Sequence, residues 1–183
     1  MKSCLLCGVG GQCTVLASRV IAEAAMEKGF FARTAETIGM AQRGGCVVSH
    51  VRFGQNVPSP LIPLGGADMI IGFEPGEAVR CLPYLKEGGC VIVSDRAVQP
   101  VAASLSGAAY SGSAMLDYLK SHVPNCYVLD ADAICAQCGS PRVLNVALMG
   151  AMAQTGLLEL TLTDIERALE RRLKPQHVQM NKK

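Results

Sequence analysis

The feature that most constrains this chain is the alternation of short apolar runs with longer helix-like segments. The first run, from Ser3 to Val9, ends in a glycine-rich turn, and residues 14–28 follow with an apolar face opposite Arg19, Glu23 and Glu27. Strands that alternate with helices of about ten or more residues indicate βαβ units. We therefore predict a three-layer α/β/α sandwich with a mostly parallel sheet and a Rossmann-like start.

The later segments continue this alternation and then change character. The predicted strands are 30–34, 46–53 and parts of "ADMIIGFEP", "GGCVIVSD" and "CYVLDA", with helices opened by Pro75 and formed by "SAMLDYLKSH". From Ser140 onward, no strand is predicted. Ser140 and Pro141 predict the start of a helix to about Ala153 that is apolar on nearly every side. Thr163 with Glu166 matches a capping box for a final helix that stops at Pro175, so the C-terminal end is predicted to be helical.

Composition limits the classes of partner and compartment. The 183 residues are 50% hydrophobic but only 4% aromatic, which favours one domain, 1–183, with a core of small aliphatic side chains. A net charge of +2 gives no basic stripe, so nucleic acid is not expected as a partner. A mean hydropathy of +0.28 suggests apolar surface buried against another chain, which includes the possibility of a homodimer in isolation.

The predicted location is the cytoplasm. No apolar run reaches the ~18 residues that a membrane span requires. The start of the chain does not complete a signal peptide, because glycines and Gln12 interrupt its apolar stretch. Nine cysteines without framework spacing are typical of a reducing compartment.

The loop "GVGGQC" follows the first predicted strand and opens the first predicted helix. Glycines let a backbone approach a phosphate, and a helix N-terminus offers free N–H groups to an anion. Gly8, Gly10, Gly11 and Gln12 are therefore candidate cofactor-binding residues. Cys13 stands where a dinucleotide motif has its third glycine, and Glu36 only loosely provides the acidic residue expected about 20 positions later. A tight structural turn is the alternative.

Other candidate sites carry weaker signals. Cys4 and Cys7 lie three apart in a strand and point to opposite faces, whereas Cys135 and Cys138 have helical spacing. Zinc, a redox pair and ordinary buried thiols are all open interpretations, with buried thiols favoured. The scattered histidines His50, His122 and His177 form no triad. Asp130 and Asp132 favour helix capping over ligand binding, and Met149 and Met152 favour core packing.

Four motifs together resemble one known family. They are "GVGGQC", "GMAQRGGCVVSHVRFG", "SPLIPLGGADMIIGFEPGEAVRCLPYL" and "NVALMGAMAQTG", in this order and over nearly the whole chain. The pattern resembles the gamma-type subunit of 2-oxoacid:ferredoxin oxidoreductases, most closely the small subunit of the indolepyruvate branch. It departs from that family at Cys13, where a glycine is usual.

The resemblance implies a subunit without catalytic residues of its own. In such complexes a 2-oxoacid is oxidatively decarboxylated to an acyl-CoA, and the electrons pass to ferredoxin. Thiamine diphosphate and iron–sulfur clusters are then carried by a partner subunit, and coenzyme A is a further candidate ligand of the complex. The sequence agrees, because it contains no Gly-Asp-Gly thiamine motif and no cysteine run for a cluster. Indolepyruvate, pyruvate, 2-oxoglutarate and branched-chain 2-oxoacids all stay open as substrates.

The loop "MAQRGG" is the second candidate site. Its residues of interest are Met40, Gln42, Arg43, Gly44 and Gly45. Paired glycines let the backbone approach another surface, and an arginine can hold a carboxylate or a phosphate with its planar fork. We expect this loop to dock on the thiamine-bearing partner.

Several alternatives stay open for these two loops. The arginine of "MAQRGG" could instead bond the carbonyl groups of its own loop, or both loops could line a site for coenzyme A phosphates. The chain could also be a free-standing Rossmann-like oxidoreductase that binds NAD(P) or a flavin, or a pure scaffold.

Overall fold

Six strands form one sheet whose order is β2-β3-β1-β4-β5-β6. The structure is a computed structural model and describes residues 1–37, 44–99 and 109–172. The strands are β1 (Lys2–Val9), β2 (Phe31–Glu36), β3 (Cys46–Gly54), β4 (Ala67–Gly72), β5 (Leu85–Ser94) and β6 (Asn125–Leu129). β3 runs antiparallel to both of its neighbours, whereas β1, β4, β5 and β6 pair in parallel. The prediction of a mostly parallel sheet is confirmed.

Helices cover both faces of this sheet, as the three-layer prediction required. They are α1 (Thr14–Glu27), α2 (Pro75–Cys81), α3 (Gly112–His122), α4 (Ala131–Cys138), α5 (Leu144–Gln154) and α6 (Leu162–Arg172). One core cluster joins α1, α5 and α6 to the sheet, and a second joins α2 and α3 to the opposite face. Along β1, Cys4 and Leu6 enter the first cluster, while Leu5 and Cys7 enter the second. Successive strand residues alternate between faces, so β1 is buried on both sides.

Three ion pairs join the C-terminal half of α1 to the two ends of α6. Lys28, just after α1, bonds Asp164 at the start of α6 over 3.1 Å, and Glu27 pairs with Arg171 over 3.0 Å. Glu23 and Arg172 make a further pair. The pairs lie along the outside of a contact whose interior is apolar, and exposed pairs of this kind contribute little individually. Ala168 and Leu169 are buried in that interior.

The start of α6 corrects the predicted capping box. Thr161, rather than Thr163, accepts the N–H of Asp164 at 3.2 Å through its hydroxyl, and the Asp164 carboxylate accepts the Thr161 N–H at 2.8 Å. The reciprocal bonds are those of a capping box that begins two residues earlier than predicted. The predicted stop at Pro175 lies outside the described residues.

The apolar helix near the C-terminus also differs from its prediction. Pro141–Val143 forms a single 3-10 turn, and the α-helix begins at Leu144. Met149 and Met152 are fully buried, as expected of core methionines, but Val146 is only partly buried. One side of α5 therefore lies near the surface rather than deep in the core.

Candidate functional site at the carboxyl ends of the parallel strands

A crevice is expected where the parallel strands β1 and β4 end. After β1 the chain enters α1 on one face of the sheet, and after β4 it enters α2 on the opposite face. In open α/β sheets, neighbouring strands whose connections diverge in this way leave a crevice outside their carboxyl ends, where ligands bind. β3 runs in reverse, so its first residue, Cys46, lies at this same end, opposite Val9.

The loop between β1 and α1 is held closed by its own glutamine. The Gln12 amide oxygen accepts the Val9 N–H at 2.7 Å, and its amide nitrogen donates to the Phe73 carbonyl at 3.0 Å. A Cβ at Gly8 would lie 2.7 Å from that Gln12 oxygen and 2.9 Å from the Phe73 Cβ, so only glycine fits there. The loop thus ties the end of β1 to the end of β4.

Three N–H groups of this loop already have acceptors inside the protein. Val9 donates to Gln12, Gln12 donates to the Val9 carbonyl at 3.2 Å, and Gly10 donates to the Gly45 carbonyl at 2.8 Å. A phosphate-binding turn needs such groups free for its anion. These contacts favour the structural-turn interpretation, while cofactor binding by Gly8, Gly10, Gly11 and Gln12 stays a prediction.

The same Gly10–Gly45 hydrogen bond brings together the two candidate loops. Gly44 has φ of +75°, a backbone conformation that favours glycine, and Gly45 follows it directly into β3. Met40, Gln42 and Arg43 lie outside the described residues. The two glycine loops therefore meet at one end of the sheet.

A buried carboxylate, Glu74, lies beside these loops. It is fully buried at the end of β4 and caps α2, because its carboxylate accepts the Glu77 N–H at 2.9 Å. Its second oxygen accepts the Tyr110 hydroxyl and is 3.5 Å from the Val98 nitrogen. Burial and this contact with Glu74 raise the pKa of Tyr110, which keeps the phenol as a donor.

A second carboxylate, Glu77, joins a thiol to a guanidinium. Its Oε1 accepts the Cys46 thiol at 3.0 Å, and its Oε2 accepts two bonds from Arg80, at 2.6 and 2.9 Å. Burial and the hydrogen bond to Glu77 raise the pKa of Cys46, so this thiol is stabilised in its protonated form. The arrangement fixes the first residue of β3 against α2.

Cys4 and Cys7 point to opposite faces of the sheet, as the strand geometry predicted, and lie in different core clusters. Cys7 instead meets Cys81 of α2, and the hydrogen bond between these thiols raises the pKa of Cys7 and lowers that of Cys81. In the part of the chain that the structure describes, all nine cysteines are free, and no three Cys, His, Asp or Glu side chains are placed to hold one metal ion.

The other polar candidates have structural contacts. His50 is buried and its Nδ1 accepts the Ile62 N–H at 3.2 Å, while burial and nearby Arg52 lower its pKa. Asp130 caps α4 by accepting the Ala133 N–H at 2.8 Å, as predicted. Asp132 is not a cap and pairs with Arg96 at 2.7 Å.

The acidic residue expected after the glycine loop is also engaged. Glu36 accepts the Ser18 hydroxyl at 3.1 Å and lies 3.7 Å from Arg19. Its carboxylate is therefore tied to α1. His177 lies outside the described residues.

Sequence reasoning missed Glu74, Glu77 and Tyr110. The signal for Glu74 was present, because an acidic residue directly before Pro75 at the end of a buried strand is typical of an N-cap. Nothing local marks Tyr110 as its partner, since their contact spans 36 positions.

Comparison with known proteins shows the family. The pyruvate ferredoxin/flavodoxin oxidoreductase family model matches residues 3–183. An indolepyruvate oxidoreductase subunit, IorB, of Thermococcus kodakarensis is 35% identical over 97% of this chain and 89% of its own length. The corresponding Archaeoglobus fulgidus subunit is 37% identical over 96% of this chain and 88% of its own. The chain therefore belongs to the pyruvate ferredoxin/flavodoxin oxidoreductase family.

Solved structures agree on the fold. The gamma subunit of a keto/oxoacid ferredoxin oxidoreductase from Geobacter sulfurreducens has a TM-score of 0.67 at 23% identity, with 100% of this chain and 92% of that one aligned. The 2-oxoglutarate:ferredoxin oxidoreductase of Magnetococcus marinus has a TM-score of 0.68 at 15% identity, and the match covers 98% of this chain but 29% of that longer one.

Within its family, the particular type of chain is now defined. It is a small, gamma-type subunit of a 2-oxoacid:ferredoxin oxidoreductase, and its relatives at 35% and 37% identity are indolepyruvate oxidoreductase subunits. Among the described residues, no helix is both long and apolar enough to cross a bilayer.

Proposed function

We propose that this chain is the subunit of a cytoplasmic indolepyruvate:ferredoxin oxidoreductase that binds neither thiamine diphosphate nor an iron–sulfur cluster. The complex decarboxylates a 2-oxoacid oxidatively to an acyl-CoA and passes the electrons to ferredoxin. The indolepyruvate assignment is supported by the relatives at 35% and 37% identity. This proposal assigns the catalytic groups and the clusters to the partner subunit, so we expect the isolated chain to be inactive.

The role of the chain in this complex is to dock on the thiamine-bearing subunit through its two glycine loops. The observation that carries this proposal is the 2.8 Å hydrogen bond from Gly10 to Gly45, which makes one surface of two loops that are far apart in sequence. Gln12 holds the first loop by accepting the Val9 N–H, and Glu77 holds the start of β3 by accepting the Cys46 thiol. The sequence directly before Gly44 contains an arginine, and the planar fork of an arginine suits recognition of a carboxylate or a phosphate. Arg43 is the proposed anchor.

The first experiment is a pull-down of the tagged chain from its native cytoplasm, with mass spectrometry and an absorption spectrum of the eluate. A brown eluate that contains a thiamine-binding, cluster-bearing chain is expected. A colourless, solitary protein would contradict the subunit assignment.

The docking role is tested in the assembled complex with Arg43→Ala and, as a matched control, Arg167→Ala. Arg167 is exposed on α6 and belongs to neither loop. We expect Arg43→Ala to lower assembly or ferredoxin reduction at least tenfold, and Arg167→Ala to leave both unchanged. Equal behaviour of the two variants would remove the anchor role.

The substrate is tested with the same complex. The kcat/KM for indolepyruvate should exceed those for pyruvate, 2-oxoglutarate and branched-chain 2-oxoacids. A higher value for any of these would reassign the substrate while leaving the subunit role intact.

The alternative of a free-standing NAD(P)- or flavin-binding oxidoreductase has less support. It requires free N–H groups in the loop after β1, where Val9, Gly10 and Gln12 already donate within the protein. It predicts a nucleotide that stays with the isolated chain, and denatured protein analysed for released nucleotide would reveal it. Binding of coenzyme A to the isolated chain would instead support a phosphate site at the two loops.

A further inference from the structure

The opposite end of the sheet carries a buried arginine, Arg52, whose acceptors among the described residues are neutral. Arg52 is 9% exposed, and its guanidinium donates to the carbonyls of Ser59 at 3.0 Å and Leu61 at 2.9 Å. Its Nε donates to the Ser3 hydroxyl at 3.3 Å, and its Nη2 contacts the Met1 sulfur. Within residues 1–37, 44–99 and 109–172, Arg52 forms no salt bridge with a carboxylate.

A second arginine lies directly across from it. Arg33 of the edge strand β2 pairs with Arg52 in the antiparallel register, so the two side chains leave the sheet on the same face. Arg33 is exposed and likewise has no salt-bridge partner among the residues described. Like charges directly opposite each other are destabilising, and buried charges are normally paired. The described part of the fold therefore gives neither of these two positive charges a salt bridge.

Exposed apolar side chains surround these arginines. Phe31, two residues before Arg33 on the same face, is 67% exposed, Met1 is 61% exposed and Leu61 is 59% exposed. Phe31 lies opposite Gly54, and a Cβ on Gly54 would come within 2.9 Å of the Met1 Cα, so the three elements adjoin. We name the surface formed by Met1, Phe31, Arg33 and Leu61, with Arg52 beneath it, the Phe31 patch.

We propose that the Phe31 patch binds an acidic segment of the thiamine-bearing subunit, with a carboxylate of that subunit between Arg33 and Arg52 and apolar side chains against Phe31. This inference rests on the proposed function. It places a second contact at the end of the sheet opposite the glycine loops. A lone inorganic anion would neutralise the charge but leave Phe31 and Leu61 in water. A second copy of this chain would bring two more arginines and no carboxylate from its own patch.

The test uses the complex reassembled from the tagged chain and the thiamine-bearing subunit that co-purifies with it. Arg33→Glu reverses one charge of the patch, and Arg167→Glu makes the same change at an exposed arginine elsewhere that has no salt-bridge partner among the residues described. We expect Arg33→Glu to raise the Kd at least tenfold and Arg167→Glu to change it less than twofold. Phe31→Asp, also exposed, should act like Arg33→Glu. Circular dichroism of each free variant checks that it is folded.

Photo-crosslinking identifies what covers the patch. Benzoylphenylalanine at position 31 should form adducts with a peptide of the thiamine-bearing subunit that contains Asp or Glu, while the same group at Tyr127, 54% exposed on the other sheet edge, should not. Adducts only between two copies of this chain would overturn the proposal.

The outcomes separate this inference from the function on which it rests. If the unmodified chain assembles and Arg33→Glu binds as tightly as Arg167→Glu, the patch proposal is wrong and the subunit assignment stands. If the unmodified chain captures no thiamine-bearing subunit, the subunit assignment fails and the patch proposal fails with it.

Discussion

Two buried charges at opposite ends of the sheet have different partners. At the carboxyl end, the Glu77 carboxylate accepts two hydrogen bonds from the Arg80 guanidinium, so an opposite charge lies beside it. At the amino end, the acceptors that the described residues offer to the buried Arg52 guanidinium are neutral. A buried charge beside an opposite charge is neutralised within the chain, whereas one with neutral acceptors keeps a field that another molecule can neutralise. The comparison shows that the described part of the chain neutralises the charge of Glu77 but not that of Arg52.

The largest loss of stability is expected when the hydrogen bonds of Glu74, at the carboxyl end of the sheet, are removed. Glu74→Ala removes the cap of α2 and leaves the partly buried Tyr110 hydroxyl without its acceptor. We expect the free energy of unfolding to fall by about 3 kcal/mol, measured by urea denaturation of the isolated chain. Glu74→Gln keeps an acceptor oxygen and should lose about half as much. Equal stability of Glu74→Ala and the parent would show that this carboxylate is not part of what holds the end together.

Removing the hydrogen bonds of Arg52, at the amino end of the sheet, should lower the free energy of unfolding by less. Arg52→Leu removes the donors from the carbonyls of Ser59 and Leu61 but also removes a buried charge without a counter-charge. We expect a loss of about 2 kcal/mol and faster hydrogen exchange in residues 55–62. Arg52→Lys keeps the positive charge, but a lysine cannot reproduce the planar fork of arginine. It should therefore lose most of the same protection from hydrogen exchange. A loss larger than that of Glu74→Ala would contradict the comparison.

The Asp164 carboxylate at the start of α6 provides a third test of stability. Asp164→Ala removes the capping box of α6 and should cost about 1 kcal/mol at pH 7. Burial opposes ionisation, but the bonds from Thr161 and Lys28 outweigh it and lower the pKa of Asp164. Stabilisation by a carboxylate with a lowered pKa is present above its unfolded value of about 3.9 and disappears as the pH falls through the folded value.

The pH dependence of Asp164→Ala provides its own check. The stability difference between parent and variant should therefore be full at pH 7 and shrink below about pH 4. Thermal unfolding of both chains across this range measures it. A difference that is constant with pH would assign the effect to the loss of packing rather than to the charge.

The smallest change in stability is expected for His50, which lies two residues before Arg52 in β3. Burial and the Arg52 charge lower its pKa, so the folded state disfavours the proton that the unfolded state accepts near pH 6.5. The stability contribution is therefore present above about pH 6.5 and is lost as the pH falls below it. Thermal unfolding at pH 7.5 and 5.5 should show a drop of under about 1 kcal/mol in the parent. His50→Gln, which keeps an acceptor, should not show this drop.

The sequence predicted the elements better than their directions. Strand and helix positions followed from apolar runs, and α1 ends shortly before Gly29, whose φ of +84° favours glycine. The reversal of β3 was not predicted, although its cause lies in the chain: residues 37–45 are too few for the crossover that a parallel strand requires. The Thr163–Glu166 spacing matches the usual capping box with glutamate, whereas the observed box uses an aspartate, Asp164, three residues after Thr161.

In the candidate site, the two glycine loops were predicted from the sequence, but the contacts between distant residues were not. Glycine patterns mark both loops, because a backbone with positive φ or a close approach leaves a local signature. Their mutual hydrogen bond, the Cys46–Glu77 contact and the Tyr110–Glu74 contact join residues 31 to 36 positions apart. Such pairings depend on strand order, which no single segment encodes.

The reversal of β3 has a consequence for how this surface can change. Both ends of the segment between β2 and β3 lie at the carboxyl end of the sheet, so the segment leaves the fold and returns to it at one place. Residues can be inserted, deleted or exchanged there without shifting the register of any strand pair. Natural variation and laboratory grafting can therefore change the sequence of this segment while the pairing of the strands stays the same.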